Sequence, residues 1–123
     1  GCRDILTLAT LVPEGARQLA ERSIEEVAKT VTFSLAPSAL LVYGSTAGSS
    51  IDGSLVSRAK TATEIPIFAS NGVRADTIED ILSLADGCVV GTWMKQEGKF
   101  YNPVDSTRVA ELMGKAKAVR GDL

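Results

Sequence analysis

Three corners of the sequence combine glycine with small hydroxyl residues, which are residue types well suited to hold an oxygen-rich ligand. They are Gly44–Ser50, Ser70–Val73 and Gly91–Thr92, and each follows an apolar run. Glycine lets backbone N–H groups face a ligand without a Cβ in the way. A helix that follows such a corner adds partial positive charge at its N-terminus. The corners together predict a site for a phosphate-bearing or sugar-like small molecule, although each one alone is also explained by the chain having to turn.

The predicted ligand contacts lie mainly on the last two corners, which follow consecutive strands near the end of the chain. In β/α barrels this is the usual position of a phosphate site. We expect backbone N–H groups and the Thr92 hydroxyl to make the contacts. The full set of predicted ligand-binding residues is Gly44, Gly48, Asn71, Gly72, Val73, Gly91 and Thr92.

The sequence contains no histidine, which limits the reactions that this chain could catalyse alone. Ser-His-Asp and Cys-His chemistry are excluded within the chain, so a general acid or base must be a carboxylate, a lysine, a tyrosine or water. Asp52 and Lys95 are the candidates for that role. Asp52 is also suited to cap a helix, and Lys95 to face solvent, so whether the chain is an enzyme stays open.

Five further residues have charged or aromatic side chains that could serve either a ligand site or the structure. Arg74 begins a helix after the Asn71-Gly72 corner and could hold an anion or lie on the surface. Tyr43 closes a strand and either reaches the mouth of the site or packs. Asp86 precedes a strand and is expected at the opposite face, where residues serve stability. Asp105 is expected to cap the last helix, and Trp93 to pack or form an interface.

Composition excludes several classes of function. The net charge is -2 and no basic stripe is present, so nucleic-acid binding is not predicted. A Walker A sequence and a GxGxxG sequence are both absent, which excludes nucleotide hydrolysis by a P-loop. Two cysteines without histidine make a dedicated metal site improbable, and no cofactor is predicted. Cys88 is interpreted as a small core residue.

The sequence carries no obvious signal for a membrane or for secretion. No apolar run approaches the roughly 20 residues that span a bilayer. The start, GCRDILTLATLVPEG, lacks a basic region followed by the long apolar core of a signal peptide. We therefore expect a cytoplasmic protein.

Four consecutive units of apolar strand and amphipathic helix make up the chain, which is predicted to be a single domain over residues 1–123. Ser23 and Glu26 form a capping box before the first helix, and Pro37 ends that helix. Later helical stripes follow Asp52, Arg74 and Asp105. The predicted strands are Ile5–Ala9, Ala39–Tyr43, Pro66–Ala69 and Gly87–Val90.

This alternation predicts an α/β fold with parallel strands, because right-handed crossovers return each strand in the same direction. The second strand is apolar at nearly every position, which is typical of a strand buried on both faces. Two architectures fit. One is a small open doubly wound sheet, which the length favours. The other is half of an eight-stranded TIM-type β/α barrel, which typically needs about 250 residues, and the motifs favour it.

The motifs of the last part of the chain resemble those of the BtpA/SgcQ family. They are ADGCVVGT at Ala85–Thr92, then Lys95 and Gly98, then NPVD at Asn102–Asp105, followed by Arg108-Val109. The resemblance implies a phosphate-binding β/α barrel of about twice this length, of which this chain is similar to strands five to eight. It also implies an association with photosystem I biogenesis, or a nucleosidase-like or sugar-metabolism role.

The chain departs from the family pattern at three places. Leu11–Glu14 stands where the family has a Lys-His pair after the fifth strand. Tyr43 and Ala47 take the places of a serine and a threonine in the next corner. Ser70-Asn71 stands before Gly72 where the family has Gly-Ser. The departures remove reactive side chains and keep the glycine backbone that could hold an anion.

A half barrel also predicts partners, because it exposes two strand edges that invite pairing. The edges could be covered by a second copy, by an N-terminal half or by a client protein, including a membrane-associated client at the thylakoid surface. We expect self-association of this chain. A non-catalytic assembly factor that acts through these edges is therefore the alternative to a ligand-binding protein, with a peripheral thylakoid location as the alternative to the cytoplasm.

Overall fold

The computed structural model describes residues 4–13, 16, 18–44 and 51–121. Its regular elements alternate along the chain. The strands are β1 (Leu8–Thr10), β2 (Ala39–Tyr43), β3 (Ile67–Ser70) and β4 (Gly87–Val89), and the helices are α1 (Ile24–Leu35), α2 (Gly53–Ala62), α3 (Ile78–Leu84) and α4 (Ser106–Arg120). Two short 3-10 helices, Thr92–Met94 and Gln96–Gly98, lie between β4 and α4. Within the described residues, no helix has the length and apolar character needed to cross a membrane.

The four strands form one parallel sheet in the order β1-β2-β3-β4. Each helix packs on the next one along the chain, α1 on α2, α2 on α3 and α3 on α4. Right-handed crossovers that always step in the same direction leave their helices on one face of the sheet. A doubly wound sheet needs a reversal of strand order, and this sheet has none. The predicted α/β fold is confirmed, and the strand order favours the half barrel.

Local capping decides where the helices begin. The Ser23 hydroxyl accepts a hydrogen bond from the Glu26 N–H at 3.2 Å, and the Glu26 carboxylate accepts one from the Ser23 N–H at 2.8 Å. The predicted capping box is thus confirmed. Asp52 caps α2 by accepting from the Ser54 N–H, and Asp105 caps α4 by accepting from the Thr107 and Arg108 N–H groups.

The main core lies between the sheet and its helices. Leu40, Val42, Ile67 and Ala69 point to that side and are at most 2% exposed. The helices contribute Val27, Ala28, Val56 and Ala59 to the same core. A second, smaller core joins α3 to α4 and consists of Val73, Ala75, Ile78, Leu112 and Ala116.

The other side of the sheet, which we call the inner face, carries the alternate strand residues. Phe68 lies over Gly87, where a Cβ would come within 2.8 Å of its ring. Tyr43 and Ser70 are register partners one step further along the strands. Leu8 and Val89 stay 44% and 43% exposed. Parallel sheets are ordinarily covered on both faces, so the inner face of this sheet is incompletely covered by the described part of the chain.

The first strand begins later than the sequence predicted. β1 covers Leu8–Thr10 rather than Ile5–Ala9, since its first register partner is Ala39, the first residue of β2. Ile5 and Leu6 are instead 63% and 77% exposed. The apolar run at Ile5–Ala9 correctly predicted a strand in this segment. Which of its residues pair depends on where the partner strand β2 begins.

Candidate functional site

A cavity of about 500 Å³ lies at the carboxyl ends of β3 and β4, and we call it the β3–β4 cavity. The corner after β3 forms its floor, and the segment after β4 forms one wall. Its lining consists of Tyr43, Ser70, Asn71, Gly72, Val73, Arg74, Val89, Val90, Gly91, Thr92, Trp93, Gly98 and Phe100. The fold therefore brings five of the predicted ligand-binding residues, Asn71, Gly72, Val73, Gly91 and Thr92, to one cavity.

The corner after β3 turns sharply through two consecutive left-handed residues. Asn71 has φ 73° and Gly72 has φ 64°. Glycine adopts this conformation without strain, whereas asparagine is one of the few other residues that tolerate it. The Thr77 hydroxyl closes the corner, because it accepts from the Arg74 N–H at 3.0 Å and donates to the Gly72 carbonyl at 3.2 Å. The corner is thus held by its own side chains before any ligand binds.

Asn71 has a buried amide nitrogen that lacks a partner. Its Nδ2 atom is shielded from solvent and makes no hydrogen bond with any residue that the structure describes. A buried donor left unpaired costs about 1–3 kcal/mol. Ser70, beside it, is only 4% exposed. A lining residue of the β3–β4 cavity therefore carries a buried hydrogen-bond donor that has no acceptor among the described residues.

The wall after β4 is built around Gly91. Gly91 has φ -128° and ψ -85°, and a Cβ placed on it would meet no atom within 4 Å. The space beside its backbone is therefore open. Thr92 is exposed and begins the first 3-10 helix. The backbone at this position can approach a ligand without moving any neighbour.

The β3–β4 cavity has a nearly uncharged lining. Arg74 is its one charged lining residue among those described, and its guanidinium already pairs with Asp76 at 2.9 Å and 3.0 Å. The N-terminal amides of α4 are taken by Asp105. Recognition of an anion here would rest on neutral donors, with Arg74 as the cation in the described lining.

The two acid-base candidates lie away from this lining. Asp52 is exposed at the start of α2, where hydrogen bonds from the Ser54 hydroxyl and N–H lower the pKa of its carboxyl below the ordinary value. At neutral pH it is an ionised helix cap. Lys95 forms an antiparallel bridge with Val104 at the base of the loop after β4. Neither residue is among those that line the β3–β4 cavity.

Three other residues occupy the positions that the sequence predicted for them. Asp86 lies at the start of β4, away from the cavity, and accepts hydrogen bonds from Lys60 and from the Ile67 N–H, which lower the pKa of its carboxyl. Cys88 is half-buried between both cores, where burial raises the pKa of its thiol. Trp93 packs beneath Arg108, whose guanidinium carbon lies 4.5 Å from the ring centroid.

A second cavity, of about 440 Å³, lies at the carboxyl ends of β1 and β2. Gly44 and Tyr43 line it, and Tyr43 also lines the β3–β4 cavity. Arg22 and Arg58 contribute cations that sequence reasoning did not single out. Arg58 is occupied by a bidentate pair with Glu25, at 2.6 Å and 2.8 Å. Gly48 lies outside the described residues.

Phe100 and Gly98 are lining residues that sequence reasoning also missed. They belong to the loop after β4, far along the chain from Tyr43 and Asn71. The consecutive positive φ angles of Glu97 and Gly98, 55° and 65°, turn this loop back. The available signal was the aromatic pair Phe100-Tyr101, which begins two residues after Gly98, and it did not reveal which cavity Phe100 would reach.

The family model of the BtpA family matches residues 1–118. The chain belongs to the BtpA family. It is 40% identical over 98% of its length to the sgc region protein SgcQ of Escherichia coli (strain K12), of which the match covers 45%. It is 34% identical over 96% of its length to an uncharacterized protein of Pyrococcus furiosus, of which the match covers 44%. It is 27% identical over 99% of its length to an uncharacterized protein of Pyrococcus abyssi, of which the match covers 51%.

Family membership agrees with the fold, since the BtpA family has a TIM-barrel type of fold. The chain spans about half the length of these relatives. Its four parallel strands are half of the eight in such a barrel. The predicted resemblance is confirmed, and it extends over almost the whole chain.

Proposed function

We propose that this BtpA-family chain binds a phosphate-bearing, sugar-like or nucleoside-like small molecule in the β3–β4 cavity. The proposed setting is sugar metabolism or photosystem I biogenesis, as the family resemblance implies. Ligands of barrels with parallel strands bind at the carboxyl ends of those strands, and this cavity lies there. The proposal is for binding, because Asp52 and Lys95 lie outside the cavity lining.

The unpaired Asn71 Nδ2 carries this proposal. It is buried in the part of the chain that the structure describes, and it belongs to a corner that Thr77 already holds in place. A ligand oxygen would supply the missing acceptor, and sugars and phosphates are rich in such oxygens. The open backbone at Gly91 supports a second contact from the segment after β4.

The test is thermal unfolding of the chain with inorganic phosphate, ribose 5-phosphate and nucleosides at millimolar concentrations. Ligand that binds the folded state raises the midpoint by mass action. We expect at least one of these compounds to stabilise the chain. We also expect Gly91→Asp to abolish the shift, since its carboxylate would project into the cavity and repel an anion.

Gly114→Asp is the matched control. Gly114 lies on α4, and a Cβ placed there also meets no atom within 4 Å. The same charge is therefore added without a steric clash and away from the cavity. Retention of the shift in this variant and its loss in Gly91→Asp would support the site. Stabilisation by none of the compounds would refute the proposal.

We propose as the second candidate a non-catalytic assembly role, in which the inner face binds a second four-stranded βα unit supplied by another copy of this chain. Leu8 and Val89 leave apolar surface on this face, and β1 and β4 are the two edges of the sheet. The relatives are about twice as long, which matches the size of one such additional unit.

Sedimentation of the chain tests this second candidate. We expect a homodimer. A monomer that melts cooperatively would refute self-association, and the inner face would then be left for an N-terminal half or a client protein. The two candidates share surface, since Tyr43, Ser70 and Val89 belong both to the inner face and to the lining of the β3–β4 cavity. They hold together if the second unit leaves that cavity open to the ligand.

A further inference from the structure

Arg108, in the first turn of α4, carries a positive charge that no carboxylate of the described residues neutralises. Its side chain is partly buried. Asp105 and Glu111 lie one turn away on either side and form no ion pair with it. A partly buried charge without a counter-ion is costly, so an anion from outside this part of the chain would stabilise the arrangement.

Arg108 adjoins two residues that line the β3–β4 cavity, Trp93 and Gly98. Its Nε–H donates to the Trp93 carbonyl at 2.6 Å, and its guanidinium carbon lies 4.5 Å from the centroid of the Trp93 ring. Its Nη2 atom lies 3.4 Å from the point at which a Cβ on Gly98 would stand. The guanidinium is therefore held in a defined orientation one residue behind the lining.

Gly98 leaves the guanidinium uncovered on the side of this loop. Its φ of 65° lies in the left-handed region, which glycine adopts without strain. A side chain at this position would begin 3.4 Å from Nη2 and would occupy the space in front of it. Glycine here thus serves both the turn of the loop and access to Arg108.

Arg74, the cation in the described lining, is by contrast already neutralised. Its guanidinium makes two hydrogen bonds with Asp76, at 2.9 Å and 3.0 Å. An arginine has five N–H donors. Arg108 uses its Nε–H for the Trp93 carbonyl, and no described residue accepts from its Nη groups. Arg108 therefore keeps both its charge and its remaining donors for an anion.

We infer that Arg108 supplies the positive charge that holds an anionic oxygen group in the β3–β4 cavity, through the opening that Gly98 leaves. The inference rests on the proposed function and refines it, because the charge of the ligand becomes the feature that the site selects. Arg108 is then a specificity-determining residue, while Asn71 and Gly91 donate neutral hydrogen bonds to the same ligand.

Calorimetric titration of the 123-residue chain with ribose 5-phosphate and with ribose tests the inference, since these probes differ by one phosphate group. We expect tighter binding of ribose 5-phosphate, with an affinity that falls as sodium chloride rises from about 20 mM to about 500 mM, because salt screens charges. Arg108→Gln is expected to lower this affinity about tenfold, to weaken its salt dependence and to leave the affinity for ribose unchanged.

Two further variants separate the charge of Arg108 from its packing. Arg108→Lys keeps the charge and loses the planar guanidinium, so we expect it to retain the salt dependence. Arg120→Gln removes the same charge from the other end of α4, about 18 Å away along the helix, and is expected to change neither affinity. A merely structural role of Arg108 predicts instead equal losses for both probes, and equal losses in Arg108→Lys and Arg108→Gln.

Gly98→Ala tests the opening without touching the charge. Gly121→Ala is its matched control, because Gly121 also has a left-handed backbone, with φ 72°, and a Cβ there meets no atom within 4 Å. Both alanines therefore strain the backbone, but only Gly98→Ala places a methyl group before Nη2 of Arg108. We expect Gly98→Ala to weaken the binding of ribose 5-phosphate and Gly121→Ala to leave it unchanged.

The outcomes distinguish the inference about Arg108 from the function on which it rests. Unchanged affinity and salt dependence in Arg108→Gln, or a larger loss in Arg74→Gln, would overturn the inference and leave the proposed binding in place. Equal affinity of the parent chain for ribose 5-phosphate and ribose would do the same. Binding of neither probe would also overturn it, and the proposed function would fall with it if inorganic phosphate and nucleosides failed to stabilise the chain.

Discussion

At the scale of single residues, Asn71 combines two features that each cost stability. Its backbone has a φ of 73°, and its buried amide nitrogen has no partner among the described residues. Strained or unsatisfied residues persist where function requires them. We therefore expect a substitution of Asn71 to raise the stability of the free protein and at the same time to weaken the proposed ligand binding.

This opposition predicts that Asn71→Gly stabilises the free protein. Glycine adopts the left-handed backbone freely, and the substitution removes the unpaired donor, which together outweigh the added flexibility of the unfolded chain. We expect the free energy of unfolding to rise by about 1 kcal/mol in chemical denaturation, while the ligand-induced thermal shift falls.

Asn102→Ala is the control, for which we expect the free energy of unfolding to change in the opposite direction. The Asn102 amide is satisfied by the Gln96 carbonyl at 2.9 Å, so its removal should lower the free energy of unfolding by about 1 kcal/mol. A loss of 1 kcal/mol or more in Asn71→Gly would show that the Asn71 amide has a partner in the free protein.

At the scale of elements, α1 and α2 are joined by an ion pair at the carboxyl end of the sheet. Arg58 on α2 makes a bidentate contact with Glu25 on α1. The hydrogen bonds from Arg58 lower the pKa of the Glu25 carboxyl from 4.5 to about 2. The pair connects two helices and borders the second cavity, where Arg58 is a lining residue.

The lowered pKa predicts how acid affects this helix pair. The folded-state pKa lies below the unfolded value, so the stabilising contribution is complete above about pH 4.5 and is lost as the pH falls toward 2. We expect the free energy of unfolding of Glu25→Gln to fall less than that of the parent chain as the pH is lowered from about 4.5 to about 2. Unfolding by urea, measured at several pH values between 2 and 6, provides the measurement.

Glu111→Gln is the comparison for this prediction, since it removes the same charge from an exposed position on α4. Its pH dependence should follow that of the parent chain more closely than that of Glu25→Gln. Identical curves for the parent and Glu25→Gln would contradict the role of the ion pair.

At the scale of the whole molecule, the sheet has helices on one face and an incompletely covered inner face. The order β1-β2-β3-β4 leaves two edge strands, and edges of this kind invite further pairing. The relatives are about twice as long, and the family has a barrel fold, so the partner proposed for this surface is a second unit of similar size. The proposed assembly and the proposed ligand binding would thus both follow from one architecture.

We predict that Val89→Lys weakens the proposed dimer and that Val119→Lys does not. The two valines are similarly exposed, 43% and 41%, but Val89 lies on the inner face and Val119 on α4. Burying an unpaired ammonium is costly, so we expect the dissociation constant to rise at least about tenfold. Equal effects of the two substitutions in sedimentation would place the contact elsewhere.

Local signals in the sequence were sufficient for most of the fold. The second strand, Ala39–Tyr43, was predicted with its observed bounds, and the caps Ser23 and Asp105 were recognised from neighbours two or three residues away. The BtpA motifs identified the family. These features depend on short-range hydrogen bonding and on the apolar pattern of each element, both of which can be followed along the chain.

The candidate site depended on contacts between distant segments. Tyr43 and Phe100 line one cavity although 57 residues separate them, and Lys95, five residues before Phe100, lies outside the lining. The unpaired state of Asn71 Nδ2 likewise depends on what surrounds it. Apolar and glycine patterns identify which segments become strands and corners, whereas burial, cavity shape and satisfied hydrogen bonds arise only when those segments pack together.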